Sequence, residues 1–178
     1  VPPMMIMPLY GAQNTEDQAK IFEKVSTHCS TLIYCTNIAE TSLTVDGVRY
    51  VIDCGYVKQK VYSHSTAMDS LMIVPISKVQ AVQRAGRAGR TGPGKCLRLY
   101  TSQFYNNQMP DVIVPEILRV NLSSTILTLK SMGIDNVIEF DFMEKPSKEA
   151  IIEALKELYY LQAIDNDGHI TLLGYEMA

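Results

Sequence analysis

Apolar residues follow two regimes along this chain: short β-branched or aromatic runs broken by Gly, Pro and Asn, and later stretches with helical spacing. The run at 4–10, MMIMPLY, stops at Gly11 and predicts a buried strand that finishes in a turn. A helix is expected next. Thr15 and Gln18 stand at capping-box spacing, Glu16 and Asp17 occupy its first turn, and Ala19, Ile21, Phe22 and Val25 supply an apolar stripe. Runs at 31–35 and 48–52 read as further strands, and Gly55 permits the turn after the second. The runs at 57–62 and 71–76 flank the polar segment 63–70 and read as a protruding β-hairpin. Ser77 is placed to cap a helix, and 95–100 returns to strand character.

A polar, Asn-rich and Pro-containing stretch at 106–115 reads as a linker. Beyond it Pro115 suits the first position of a helix, with Leu118, Leu122, Ile126 and Leu129 at helical spacing and Gly133 as its stop. A second helix follows Ser147, with Ile151, Ile152, Leu155, Leu158, Tyr159 and Leu161 expected to face a core. Asn166, Asp167 and Gly168 then form a tight turn before HITLL, which completes a small hairpin.

A chain of 178 residues with 47% hydrophobic content can bury a real core in one large or two small domains. No apolar run approaches the roughly 20 residues that span a bilayer, and the N-terminal stretch lacks the pattern of a signal peptide. Cys29, Cys35, Cys54 and Cys96 contain no C-x-x-C pair, and His28, His64 and His169 do not cluster. The thiols are therefore expected to be free and buried, in a reducing compartment. Charge is unevenly placed. Residues 1–45 hold two Lys/Arg against four Asp/Glu, residues 46–105 nine against three, and residues 106–178 five against twelve. The segment charges of −2, +6 and −7 mark the middle as the part suited to a polyanion.

That middle segment contains QRAGRAGR. Arg84, Arg87 and Arg90 recur every third residue, so one or two helical turns hold their guanidinium groups within one angular sector. Gly86 and Gly89 interleave with them, although glycine costs about 1 kcal/mol relative to alanine inside a helix. Guanidinium forks match phosphate oxygens, and positions without side chains admit a ligand or another backbone. A solvated basic helix face is the plainer account, but it explains neither the glycines nor Gln83.

Residues 83–90, followed by TGPGKC and LRLYT, resemble motif VI of the superfamily 2 helicases in its DEAH-box form. TNIAETSLTVDG at 36–47 resembles motif V of the same family, and PISK at 75–78 and VPEI at 114–117 follow the family pattern. From Pro8 onward the chain resembles the DEAH-box ATP-dependent RNA helicases of the pre-mRNA splicing group. The resemblance implies an α/β fold: a second RecA-like, P-loop NTPase type parallel-sheet domain over 1–108, N-terminally incomplete, with a β-hairpin at about 57–76. A mainly α winged-helix domain would follow over 109–178.

The same resemblance implies roles. Arg87 and Arg90 act as arginine fingers, Gln83 lies near the γ-phosphate and attacking water, and Arg84 braces the loop. Phe22, Ser42, Asp46 and Gly86 would bind the nucleotide, Phe22 by stacking on adenine in place of an ordinary core role. Thr36, Asn37 and Lys58 would meet the RNA backbone. Thr36 and Asn37 also suit a plain helix cap, and Lys58 suits an edge strand guarded against aggregation. The hairpin tip reads SHSTAMD where relatives more often begin with asparagine, proline and arginine, so its contacts are not carried over.

No G-x-x-x-x-G-K-[ST] and no D-E-x-H sequence occurs. By resemblance those motifs belong to a first RecA-like domain, which would supply the phosphate cradle and the ligands of the magnesium that accompanies ATP. This chain is then a portion of a longer enzyme and inactive by itself. Expected partners are RNA, the protein's own first RecA-like domain and C-terminal helical domains, and a protein activator or spliceosomal components, in the nucleus or cytoplasm and without a membrane. Two other readings stay open: a non-catalytic RNA-binding or partner-docking module of helicase ancestry, and a DNA translocase of the same superfamily.

Overall fold

Parallel pairing organises the first half of the chain. In the computed structural model, which describes residues 3–23, 28–63 and 68–178, β1 (Met4–Leu9) runs parallel to β2 (Ser30–Cys35), in register from Met4↔Ser30 to Leu9↔Cys35. β3 (Tyr50–Asp53) is likewise parallel to β6 (Lys95–Arg98), from Tyr50↔Lys95 to Asp53↔Arg98. Helices lie between the strands. These are α1 (Thr15–Ala19), with a 3-10 turn over Lys20–Phe22, then α2 (Ile38–Thr41), and α3 (Lys78–Gly86), with a 3-10 turn over Arg87–Gly89. Of these, α1 lies within the β1-to-β2 crossover and α3 within the β3-to-β6 connection. β4 (Tyr56–Ser63) and β5 (Met68–Pro75) form the expected hairpin, and α4 (Ser102–Asn107) follows β6. The expectations for Val25 and for His64, Ser65, Thr66 and Ala67 at the hairpin tip lie outside the described residues.

Contacts divide the chain into two units, Val1–Lys58 with Ile73–Ile113, and Gln59–Met72 with Val114–Ala178. The first unit packs Ile76, Ala81 and Met109 with Val57, Tyr100, Phe104 and Tyr105. Residues 109–113 belong to it, past the boundary expected at 108. Met109 is buried in that cluster, and the N–H groups of Lys78 and Val79 donate to the carbonyls of Pro110 (2.8 Å) and Asp111 (3.3 Å).

Several local expectations are corrected. Asn14, not Thr15, caps α1, its side chain accepting the Asp17 N–H at 2.8 Å. β1 is largely exposed rather than buried: Met4, Met5 and Ile6 are exposed and Leu9, at its C-terminal end, is fully enclosed. None of the four cysteines is buried; all are free, with Cys35 and Cys54 exposed.

The second unit gathers Leu122, Ile126, Leu127, Val137, Ile151, Ala154, Leu158, Ala163 and Ile164 into one core. The single helix expected from Pro115 is broken. A 3-10 turn covers Glu116–Leu118, Arg119 adopts φ −134°, and α5 spans only Ser123–Ser131. The reason is a competing partner. The Arg119 carbonyl accepts the Tyr62 N–H of the hairpin at 2.8 Å, while Arg119 Nη1 donates to the Lys60 carbonyl at 2.7 Å. α6 (Lys148–Tyr160) begins at Ser147 as expected, and buries Ile151, Ala154 and Leu158; Ile152, Tyr159 and Leu161 point to solvent. HITLL contributes one bridge, Ile164↔Ile170, and then Thr171 caps α7 (Leu172–Met177), so the small hairpin yields to a helix. Lys130 is buried in this unit with its ammonium donating to the carbonyls of Asp135 (3.0 Å) and Gly168 (2.5 Å). No helix among the described residues is long and apolar enough to cross a membrane.

Candidate functional site

A reciprocal cap aims the arginine row. The Ser77 hydroxyl accepts the Gln80 N–H at 3.1 Å, and the Gln80 side chain accepts the Ser77 N–H at 3.0 Å. Both residues are buried, so this capping box fixes where α3 starts. From that start Arg84, Arg87 and Arg90 all reach the segment that follows β2. Arg84 Nε donates to Glu40 Oε2 at 3.1 Å and its Nη1 to Asp53 Oδ1 at 2.9 Å. Arg87 donates from Nη1 to the Leu43 carbonyl at 2.7 Å and from Nη2 to the Glu40 carbonyl. Arg90 Nη1 meets Thr44 Oγ1 at 2.5 Å.

The three arginines are not equivalent. Burial opposes the Arg84 charge, but the hydrogen bonds and negative charges of Asp53 and Glu40 outweigh it and hold its pKa above the usual guanidinium value. Arg87 moves the other way: partial burial and the adjacent positive charge of Arg90 lower its pKa, against the pull of Glu40. A guanidinium stays protonated regardless. Arg84 is therefore satisfied by carboxylates, whereas Arg87 beside Arg90 is a cationic pair that a polyanion would stabilise.

Those two arginines open onto a cavity of about 380 Å³ lined by Glu40, Thr41, Gln83, Gly86, Arg87 and Arg90. A Cβ built on Gly86 or Gly89 would meet nothing within 4 Å, so the glycine positions leave open space along the row. The dimension suits a polyphosphate end, and the donor set fits it: two guanidinium groups and an amide converge, and Glu40 is engaged by Arg84.

The remaining candidates sit nearby in the chain without lining that cavity. Thr36 and Asn37 are exposed at the C-terminal end of β2, where the Thr36 N–H continues the parallel ladder to the Leu9 carbonyl at 3.1 Å. Asn37 precedes α2 without a side-chain capping bond, which leaves its amide to other partners. Ser42 ends α2, Asp46 lies in the turn before Gly47, and both are exposed. Phe22 is 52% exposed at the end of its 3-10 turn, as are many of the chain's other large apolar side chains. Lys58 is exposed on β4.

Sequence reasoning missed Glu40, Thr41, Thr44, Asp53 and Tyr100. Glu40 and Asp53 are buried carboxylates, and the signal for them was the row itself, since an inward-facing arginine requires buried anions to meet it.

The family model for the helicase conserved C-terminal domain matches residues 3–92, and that for the winged-helix helicase associated domain (HA2) matches residues 154–178. Across its whole length the chain is 51% identical to the pre-mRNA-splicing factor ATP-dependent RNA helicase prp22 of Schizosaccharomyces pombe, covering 15% of that protein. It is 47% identical over 174 residues, 98% of the chain, to the probable ATP-dependent RNA helicase DHX40 of Homo sapiens and of Rattus norvegicus, covering 22% of each. The chain thus spans less than a quarter of the length of these relatives.

Proposed function

Since the chain belongs to the helicase family defined by that conserved C-terminal domain, within its DEAH-box group, we propose that it forms one wall of the ATP site of an RNA helicase motor. Its RecA-like α/β domain is followed by a winged-helix domain. ATP would bind between this domain and a first RecA-like domain carrying the P-loop and the magnesium ligands. Magnesium, when bound there with ATP, neutralises phosphate charge.

The observation that carries the reading is the convergence of Gln83, Gly86, Arg87 and Arg90 on one cavity, next to a segment that also holds Thr36 and Asn37. Arg87 and Arg90 would stabilise charge developing on the transferred phosphoryl group, and Gln83 would orient the attacking water. Ser42, Asp46 and Gly86 would contact the nucleotide, with exposed Phe22 stacking on its base. Thr36, Asn37 and Lys58 would hold RNA phosphates without reading sequence. Because α2 hangs from Arg84 and Arg87, a change in what Arg87 touches shifts the same segment that grips RNA. Hydrolysis would then drive translocation along RNA, with unwinding or remodelling of RNA–protein assemblies in pre-mRNA splicing, in the nucleus or cytoplasm. The other parts of this reading are the motor's own C-terminal helical domains and a protein activator or spliceosomal components as partners.

The test is Arg87→Ala and Arg90→Ala in the full-length protein. Each should lower RNA-stimulated ATP turnover by on the order of 10³-fold, while RNA affinity stays within about threefold. Unchanged turnover in both variants refutes the assignment.

A further inference from the structure

Behind the arginine row lies a buried polar chain that the cavity does not include. The Asp53 side chain is completely enclosed at the end of β3 and takes three donors: Arg84 Nη1 at 2.9 Å and the Gly55 N–H at 3.0 Å on Oδ1, and the Tyr100 hydroxyl at 2.9 Å on Oδ2. Arg84, itself mostly buried, spends its Nε on Glu40 and also donates from Nη1 to the Tyr56 carbonyl at 3.3 Å. A continuous series of hydrogen bonds therefore runs from Tyr100, just past β6, through Asp53 and Arg84 to Glu40 in α2. In a low-dielectric interior such a network holds its geometry tightly, because any half-satisfied arrangement leaves a buried charge exposed to its own desolvation cost.

The position of Glu40 gives this network a consequence at the site. Arg84 grips the Glu40 carboxylate while Arg87, one turn further on, grips the Glu40 carbonyl. The placement of α3 against α2, and with it the aim of Gln83, Arg87 and Arg90, is held in part through that residue. Asp53 decides where Arg84 can sit, since it supplies the second anion that stretches the guanidinium between β3 and α2. Neither Asp53 nor Tyr100 lines the cavity.

We propose that Asp53, oriented by Tyr100, is a positioning residue for the phosphate-facing arginines: it fixes Arg84 and thereby the relation of α2 to α3 on which Arg87 and Arg90 depend. This rests on the arginine-finger reading above. Its action is mediated wholly by side-chain placement, so its signature is a loss of turnover that shrinks once Arg87 is gone.

The experiment compares Asp53→Asn and Tyr100→Phe, each alone and combined with Arg87→Ala, in the full-length protein with a single-stranded RNA homopolymer as activator. Asp53→Asn alone should lower kcat by on the order of 10- to 100-fold, and Tyr100→Phe by about 5-fold, with KM for ATP and RNA affinity within about twofold. In the Arg87→Ala background each should lower the residual rate by a markedly smaller factor, since only Gln83 and Arg90 are left to be misplaced. Equal fractional losses with and without Arg87 would mark a role in folding alone and overturn the proposal. So would unaltered turnover in both single variants. Tyr100→Phe removes one hydroxyl and keeps the ring, so the question stays answerable even where Asp53→Asn fails to fold. A wild-type protein without RNA-stimulated hydrolysis would fail at the earlier step, discarding the helicase reading together with this one.

Discussion

The Thr91 hydroxyl accepts the Gly47 N–H at 3.1 Å, fastening the loop after the arginine row to the turn that closes the 36–47 segment. Arg49 adds two ties to the same loop, donating from Nη1 to the Pro93 carbonyl at 3.2 Å and accepting the Lys95 N–H at 2.8 Å. The two stretches that resemble helicase motifs V and VI are thus joined beyond the arginines as well as through them. Thr91→Val keeps the shape and removes the acceptor, and should cost about 0.5–1 kcal/mol, since the bond is exposed. Urea denaturation of the two proteins measures the difference.

Two glycines of this region should behave oppositely. A Cβ on Gly94 would collide with the Ala88 carbonyl oxygen and stand 2.8 Å from that of Arg49, and backbone cannot step aside. Gly94→Ala should destabilise by roughly 1–3 kcal/mol. At Gly86 nothing lies within 4 Å, so Gly86→Ala should leave stability unchanged or raise it by about 0.5–1 kcal/mol through helix propensity. In the whole motor the added methyl would stand on the cavity wall, and ATP turnover should drop. Thermal unfolding and ATPase assays on both variants separate the two effects.

Ser77→Ala removes the hydroxyl half of a buried capping box and should cost about 1–2 kcal/mol. Ser77→Asp, which can still accept the Gln80 N–H, should recover part of the loss. Chemical denaturation midpoints decide this; equal midpoints for wild type and Ser77→Ala would mean that the cap does not set the start of α3.

Alkaline stability should report on Tyr100. Burial, the hydrogen bond to Asp53 and the Asp53 charge all push its pKa well above that of free tyrosine. The folded state therefore holds the phenolic proton more tightly than the unfolded chain does. Its stabilising contribution is complete below the unfolded pKa of about 10 and is lost as pH rises from there towards the folded value. Tyr100→Phe should flatten this part of the pH profile. Denaturation followed between about pH 9 and pH 11 tests it, and an equal alkaline decline in wild type and variant would show that other groups govern the loss.

Much of this arrangement was legible in the residue order. Arg84, Arg87 and Arg90 at every third position, with Gly86 and Gly89 between them, identified the cationic face; Ser77 marked the start of its helix. The breaks after β2 and β3 located the exposed Thr36 and Asn37 and the turn at Gly55, where φ is +80°. Less legible was the division of labour among the arginines. Arg84 meets Glu40 across 44 residues and Asp53 across 31, and Tyr100 meets Asp53 across 47. No local pattern announces pairs so far apart. The helix expected from Pro115 failed for a related reason, because the Arg119 carbonyl is used by Tyr62 of the hairpin.

By itself, then, the chain's order of residues determined its local inclinations: which runs extend, where helices begin, and that a row of guanidinium groups would share one side of a helix. These depend on side-chain spacing and on caps within a few residues, which a linear chain displays directly. Tertiary structure alone decided which arginine is consumed by buried carboxylates and which remain turned towards an open cavity. Burial sets that outcome, since a charge withdrawn from water must find its counter-charge in space, whatever the distance along the chain.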